Sequence, residues 1–521
     1  MTGSALAMDT RAMRRHDPAD EVDVVVVGTG AGGAPLLSVL AARGLRVVAL
    51  EAGPFFDPTR HTPDETDAAE INWMSERLST GDDPIAFGPN TSGRGVGGST
   101  LHWGAFTPRP DEGQLRLRTE TGAGRDWPLS HDELMPYLRR AERDLGVSGP
   151  AGYPWDPARE YLFPPPGRNA AARRMAEGCA ALGIRHADAP AAVLTRDVVQ
   201  NGMPRLACTA CGACHQGCRT GSKATMGTTY LPAAIASGAE IRAEAMAHTL
   251  ETDGTGRIRA VVYRHGGADV RQRCRALVLA AGGVETPRLL LVNDLANASG
   301  QVGRNFLAHP AVQVWGTFDD QQRAYRGYPS SLITEDFVQP ADADHVGGYL
   351  LQSLGVMPLT YATSLVRGGG LWGDDLMAAL DSAPRTAGIG MNGECLPSDA
   401  NTLTLADEAD EFGIPRARIS FTAGANETAM QQHAVGVMTR ILEAAGATST
   451  RVLARMAHTL GTCRMSAEPD DGVVDPVGRS HDIDNLWIVD NSTFPSALAA
   501  NPGLTQVALS LRSADALLSG R

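Results

Sequence analysis

The chain has no apolar run of about 18 residues, the length a helix needs to cross a bilayer, so no segment spans a membrane on its own. Positive charge is in deficit: 46 Lys and Arg stand against 59 Asp and Glu, a formal net charge of −13. Without a basic field to collect phosphates, nucleic acid and anionic membranes are excluded as partners, while a cationic or neutral small molecule is tolerated. The polar leader, which holds Arg14-Arg15, lacks the apolar core of an export signal, so a cytoplasmic location is the expectation. Cysteine is scarce as well. Of eight, Cys179, Cys274, Cys395 and Cys463 are scattered and the other four crowd into 208–218, which is not a disulfide framework. Internal repeats and low-complexity tracts are absent.

What is present is a chain of 521 residues with 43% apolar content, enough for one large core or two to three intertwined lobes. Val22–Val27 is a continuous apolar run of the kind a parallel strand buried on both faces requires. It stops at Gly28, where Gly28-Thr-Gly30-Ala-Gly-Gly33 opens a helical pattern carrying Leu36, Leu37, Val39 and Leu40, with Gly44 as its stop. A second strand, Leu45–Leu50, ends at Glu51, completing a βαβ unit. Further on, a glycine-rich stretch spans about 90–110, a helix 131–145, and a Pro-rich lobe boundary 149–167. A strand at Ala276–Ala280 precedes a helix expected to hold Pro287 in its first turn. Between about 310 and 455 the pattern weakens into irregular strands and loops, including a flexible Gly368-Gly369-Gly370. A short strand at 485–490 and an apolar helix at 504–517 close the chain.

In the Gly28-x-Gly30-x-x-Gly33 turn the first glycine makes the tight turn, the second lets backbone approach a pyrophosphate, and the third lets helix pack on strand. The helix N-terminus adds donors and a favourable dipole. Glu51, about twenty residues on, sits where a carboxylate accepts hydrogen bonds from an adenosine ribose. Strand, helix and acid together make this a dinucleotide site. They do not separate FAD from NAD.

Several motifs then occur in one order: VVVVGTGAGGAPLL near the start, RGVGGSTLHWGAF at 94–106, AAGGVETPRLLL at 280–291, VGRNFLAHP at 302–310, AHTLGTCRM at 457–465 and NLWIVDNSTFPSALAANPGLT at 485–505. In these the chain resembles the glucose-methanol-choline (GMC) oxidoreductases, a family of FAD enzymes. The resemblance implies an α/β fold: a Rossmann-like FAD-binding domain with an intertwined α+β substrate-binding domain built on a mainly antiparallel sheet. It assigns 1–19 to a flexible leader, 20–150, 205–310 and 455–521 to the FAD domain, and 151–204 and 311–454 to the substrate domain, the region that matches poorly. It puts Gly28, Gly30, Gly33 and Glu51 on the ADP half of FAD. Gly97, Gly98 and Ser99 fall on the loop passing the isoalloxazine, Asp490 near the pyrophosphate and ribityl chain, and the Thr505 backbone at the flavin edge.

The implied function is oxidation of the CH–OH group of a sugar, polyol or aminosugar, with the hydroxyl proton removed and a hydride passed to the flavin. Such chemistry needs a base within hydrogen-bond reach of the hydroxyl, and histidine titrates in the useful range. Among 13 histidines, His458 sits in the context resembling the family's catalytic histidine. Asn501, before Pro502, matches the family's second position in its Asn version. An amide orients a hydroxyl but takes no proton, so His458 carries the acid–base role alone. His102 falls where some members link the flavin covalently; packing beside the ring is the other reading. Cys208, Cys211, Cys214 and Cys218 have the spacing of a bacterial ferredoxin run. An iron–sulfur cluster is one reading of it, zinc a second, and a metal-free loop or disulfides a third. The electron acceptor, whether oxygen, a quinone or a protein, stays open. So do two other functions, an FAD-containing lyase of the hydroxynitrile lyase type and a non-catalytic flavoprotein.

Overall fold

The computed structural model describes residues 8, 10, 11, 13–58, 64–73, 77–82, 92–340 and 343–520. Two sheets organise it. The first is built on Glu21–Val27, whose buried valines leave both faces free to be covered. That strand pairs in parallel with Val47–Leu50 on one side and with Ala268–Leu279 on the other, and Glu240–Arg242 extends the parallel run beyond Val47–Leu50. The long strand Ala268–Leu279 does two jobs. Its first half pairs antiparallel with Ile258–His265, which in turn pairs with Met246–Thr252; its last residues pair in parallel with Leu486–Ile488. Helix Gly33–Ala42 packs between helices Tyr230–Ala236 and Gly503–Ser519.

The second sheet is antiparallel, in the order Ser449–Leu460, Leu307–Thr317, Thr386–Gly393, Tyr349–Leu354, Leu332–Thr334 and Ala187–Asp188. Helices Ala170–Ala181 and Ala425–Ala444 cover one face through Met175, Met430, Met438 and Ile441 against Val314, Leu351 and Ile389. Helices Pro358–Arg367 and Gly373–Ser382 cover the other through Tyr361, Leu365 and Ala379 against Trp315, Leu354 and Leu453. This is the stretch expected to be irregular. Its strands are buried on both sides, as in Leu307–Thr317, so they lack the alternation that marks a half-exposed strand. Gly368 is packed rather than free, its carbonyl accepting from Ala454 N at 3.0 Å.

One helix starts earlier than expected. It spans Gly282–Asn293, which moves Pro287 out of the first turn and into the interior. Proline there has no N–H for the carbonyl four residues back, that of Gly283. The Thr462 hydroxyl donates to that carbonyl instead, at 2.8 Å, so the defect is filled from another segment. The leader, of which residues 1–7, 9 and 12 lie outside the described residues, is held at its far end: His16 N donates to Glu240 at 2.8 Å, and Met13 is buried. Among the described residues no helix is long and apolar enough to cross a membrane.

Candidate active site

Four parallel strands end on one edge of the first sheet, and the residues that follow them, Gly28, Glu51, Ala280 and Asp490, line a single cleft. Ligands of open α/β sheets bind outside such carboxyl ends. The cleft continues past Gly98, Ser99 and His102 to the edge of the second sheet, where His458 and Asn501 line it. Of the catalytic and flavin-binding residues expected from the sequence, Gly33, Gly97 and Thr505 stand behind the wall rather than on it, and so do the four cysteines of 208–218.

The three fingerprint glycines are required for different reasons. Gly28 has φ +101°, and a Cβ on it would meet the Ala280 carbonyl oxygen at 2.3 Å; one on Gly33 would meet the Gly28 carbonyl oxygen at 2.0 Å. Those two are fixed by the fold. At Gly30 a Cβ would find only Gly98 Cα, at the ordinary contact distance of 3.6 Å, so nothing in the protein demands glycine there. A ligand whose phosphates must approach the backbone does.

Glu51 is buried, and its carboxylate accepts from Thr29 N at 3.1 Å, Thr29 Oγ1 at 2.7 Å and Gly53 N at 3.1 Å. Burial pushes its pKa up against those stabilising donors. Thr29 Oγ1 in turn accepts from Gly97 N at 3.1 Å, so this hydroxyl ties the first turn to the loop that carries His102. Sequence reading passed over Thr29 because it occupies a variable position of the motif. Asp490 turns out to be a structural anchor as well as a cleft residue. It accepts from Gly282 N at 2.9 Å, Thr286 Oγ1 at 2.6 Å and Ser492 N at 2.9 Å, and burial raises its pKa. Thr505, in the first turn of the last helix, is fully buried, and Pro502, Gly503 and Gln506 line the cleft in its place.

His102 is buried, and among the described residues its Nε2 has no partner. Burial, with Lys223 nearby, lowers its pKa to about 3. Lys223 Nζ donates to Leu101 O at 2.8 Å, to Trp103 O at 3.1 Å and to Cys214 O at 2.6 Å, fixing the backbone on both sides of His102 and fastening the cysteine loop behind it. His215 Nδ1 lies 3.1 Å from His102 O. All four cysteines of the loop are free, from buried Cys214 to exposed Cys211. Among the described residues no group of three or more His, Cys, Asp or Glu is disposed to hold a metal ion, so the iron–sulfur and zinc readings gain no support from the geometry.

The far end of the cleft is built from a bulge. In the pairing of Leu307–Thr317 with Ser449–Leu460, Leu307 faces Leu460 and His309 faces Ala457, so His458 and Thr459 together oppose a single residue. Bulges re-aim side chains, and this one holds His458 at φ +62°, a region costly for any residue with a Cβ. Asn491 secures it by donating its amide to Thr459 O. His458 Nδ1 lies 3.1 Å from His309 Nδ1, the rings meeting edge to face at 4.8 Å, and among the described residues no group partners His458 Nε2. Burial holds the His458 pKa well below 6.5, and burial brings His309 to about 4 although the carbonyls of Leu498, Ala500 and Ala497 face it. Asn501 Oδ1 accepts from Asn392 Nδ2 at 3.1 Å. The loop before Asn501 is clamped by Glu394, which accepts from Ala497 N at 2.7 Å and Leu498 N at 3.0 Å and whose pKa burial raises to about 8. His309, Asn392 and Glu394 carried no signal of their own in the sequence.

Buried neutral histidines make the protein acid-sensitive. His102, His215 and His309 have pKa values of about 3, 4 and 4 when folded, against 6.5 when unfolded. The stability this provides is complete above pH 6.5 and is lost as pH falls toward 4, at up to about 1.4 kcal/mol per pH unit for each histidine. Thermal melts are expected to shift down steadily between pH 6.5 and 4.5; a Tm constant over that interval would contradict these environments.

A parallel sheet with a glycine turn for a dinucleotide, joined to an antiparallel lobe that brings a histidine to the same cleft, has the architecture of a two-lobed dinucleotide-dependent enzyme. Comparison with known proteins agrees. The N-terminal GMC oxidoreductase model matches residues 89–311 and the C-terminal one 397–510. The chain is 30% identical to the fructose dehydrogenase large subunit of Gluconobacter japonicus, covering 95% of this chain and 98% of that one. It is 29% identical to 2-methyl-1,2-propanediol dehydrogenase of Mycolicibacterium austroafricanum over 95% of both. Its fold matches that of pyridoxine 4-oxidase from Mesorbium loti with a TM-score of 0.67 at 17% identity, over 96% of this chain and 99% of that one. The chain belongs to the GMC oxidoreductase family and is an FAD-dependent alcohol oxidoreductase.

Proposed function

We propose that the His458 end of the cleft oxidises the CH–OH group of a polyol or sugar to a carbonyl, with His458 as the base and Asn501 as the group that orients the hydroxyl. The observation that carries this is the bulge: strained backbone holds a neutral imidazole with one nitrogen engaged inside the protein and the other free toward the cleft. In this reading His309 Nδ1 is the acceptor for His458 Nδ1–H, the arrangement that their 3.1 Å separation allows. That tautomer gives His458 Nε2 a lone pair for the substrate hydroxyl proton, the same division of labour as in other histidine bases fixed by a second group. Asn501, its oxygen occupied by Asn392, offers its N–H donors to the substrate oxygen.

The residues present fit FAD. Gly30 leaves backbone open where phosphates approach, and the side-chain amide of Gln506 and Nε2 of His102 are buried on the cleft without partners. Gly28, Gly30 and Glu51 would hold its ADP half, and Gly98, Ser99 and His102 its ring. Bound there, FAD supplies the acceptor for the two electrons that leave the carbinol. His102, a neutral ring whose Nε2 has no partner among the described residues, is read as the point of covalent attachment. Flavin is therefore expected to stay with the chain after acid precipitation and to be released from a His102→Ala variant; flavin in the supernatant of the unaltered protein would refute the attachment.

The activity is tested by supplying alcohols with a two-electron dye. One carbonyl formed per dye reduced supports the reading, whereas cleavage of the substrate with the dye left oxidised would make the protein a lyase.

A further inference from the structure

Arg455 lines the same cleft, on the strand that carries His458 and three residues before it. It faces Ala311 across the sheet, on the side of His458 that leads into the second lobe, away from the Gly28 turn. Along an extended strand the two Cα atoms stand at most about 10 Å apart. Among the described residues Arg455 has neither an ion-pair nor a hydrogen-bond partner, whereas the cleft's other arginine, Arg288, is paired with Glu285 at 3.0 Å and Asp410 at 2.6 Å. More than a third of the Arg455 surface is open, yet its pKa is lowered by burial, the combination expected of a side chain set deep in the molecule and facing a cavity. Its charge is felt by His458 and by His215, both on the cleft wall. A guanidinium that faces the cleft with no carboxylate beside it among the described residues leaves its donor fork free for an anion that arrives with the substrate.

We propose that the alcohol oxidised at His458 is a hydroxycarboxylic acid whose carboxylate is received by Arg455. The inference rests on the alcohol oxidation proposed above and adds the charge of the substrate. A guanidinium takes a carboxylate through two parallel N–H donors, which would fix the distance from the acid to the carbinol presented to His458. No second cation stands beside Arg455 among the described residues of the cleft wall at this end, which suits a singly charged carboxylate better than a phosphate dianion. A protonated amine at the same position would meet like charge, so Arg455 weighs against the aminosugar that the acidic net charge of the chain left open.

The test uses the holoenzyme with a dye acceptor and matched pairs of substrates. Aldonates and hydroxyalkanoates of four to six carbons are each set beside the neutral amide or alditol, and an amino alditol is included. The acids are expected to exceed their neutral partners in kcat/KM by about ten- to a hundredfold, and Arg455→Met is expected to remove most of that ratio. Equal use of acid and neutral forms, a preference for the amine, or a ratio unchanged by Arg455→Met would each overturn the assignment. Should no alcohol of any charge be oxidised, the oxidation reading fails, and the carboxylate site is judged by binding. Glutarate, which has no hydroxyl, should perturb the flavin absorbance of the unaltered enzyme saturably and do so at least tenfold more weakly in Arg455→Met; no perturbation in the unaltered enzyme would overturn the site.

Discussion

Replacing His458 by alanine is expected to lower kcat by about 10² to 10⁴-fold while the purified variant keeps its flavin. The loss is expected to be large because the two groups beside His458 cannot take its place: Asn501 is an amide, and the His309 ring is fully buried behind His458. Flavin is retained because His458 lies at the end of the cleft opposite the Gly28 turn. His309→Phe gives the informative companion result. A phenyl ring fills similar space but can neither accept from His458 Nδ1 nor repel its charged form. Turnover is expected to fall about ten- to a hundredfold. The acid limb of the pH profile, which lies below the ordinary histidine range in the unaltered enzyme, should move to higher pH, because a repulsion that lowered the His458 pKa is gone. A purely structural role for His309 would change kcat or stability and leave that limb in place. Full turnover in His458→Ala would remove His458 from the chemistry.

Gly30→Val is the second substitution with a large expected effect, and it acts on the cofactor alone. A Cβ at this position would find ordinary contact room beside Gly98, and the further methyl groups would occupy the space that a pyrophosphate needs next to the backbone. The variant should be folded by circular dichroism and colourless, with flavin affinity reduced at least about a hundredfold. Gly28→Ala and Gly33→Ala behave differently. Their added Cβ atoms would meet backbone oxygens at 2.3 and 2.0 Å, so these variants lose stability as well as flavin. If Gly30→Val stays yellow with a normal flavin ratio, the phosphates do not pass over Gly30.

The contrast between these residues explains what the sequence could reveal. The βαβ start was readable because Val22–Val27, the glycine turn and Glu51 are contiguous and each has a local physical signature. Helix 131–145 was readable for a like reason: its ends carry Ser130 with Glu133 as a reciprocal cap and Gly146 in the left-handed region. The second lobe was not. Leu307–Thr317 and Thr386–Gly393 are buried along their length, and helix Ala425–Ala444 has only a weak apolar stripe, so no period stands out. His458 and Asn501 were found through motif resemblance, whereas their supports, His309, Asn392, Glu394 and Thr29, act through partners as far as 149 positions away in the chain. Pairings at such separations exist only once the fold brings them together. Arg455 was invisible for the complementary reason, since a surface arginine and an unpaired arginine in a cleft read alike in a sequence.

In the proposed reaction an alcohol delivers its electrons to the flavin at the His458 end of this cleft. Anaerobic mixing of the holoenzyme with the preferred alcohol tests it in one measurement, by following the flavin absorbance near 450 nm. Rapid, substrate-dependent bleaching is expected in the unaltered protein, slowing by about 10² to 10⁴-fold in His458→Ala at equal flavin content. An oxidised flavin spectrum that persists while the substrate is consumed, or equal bleaching rates in the two proteins, would contradict it.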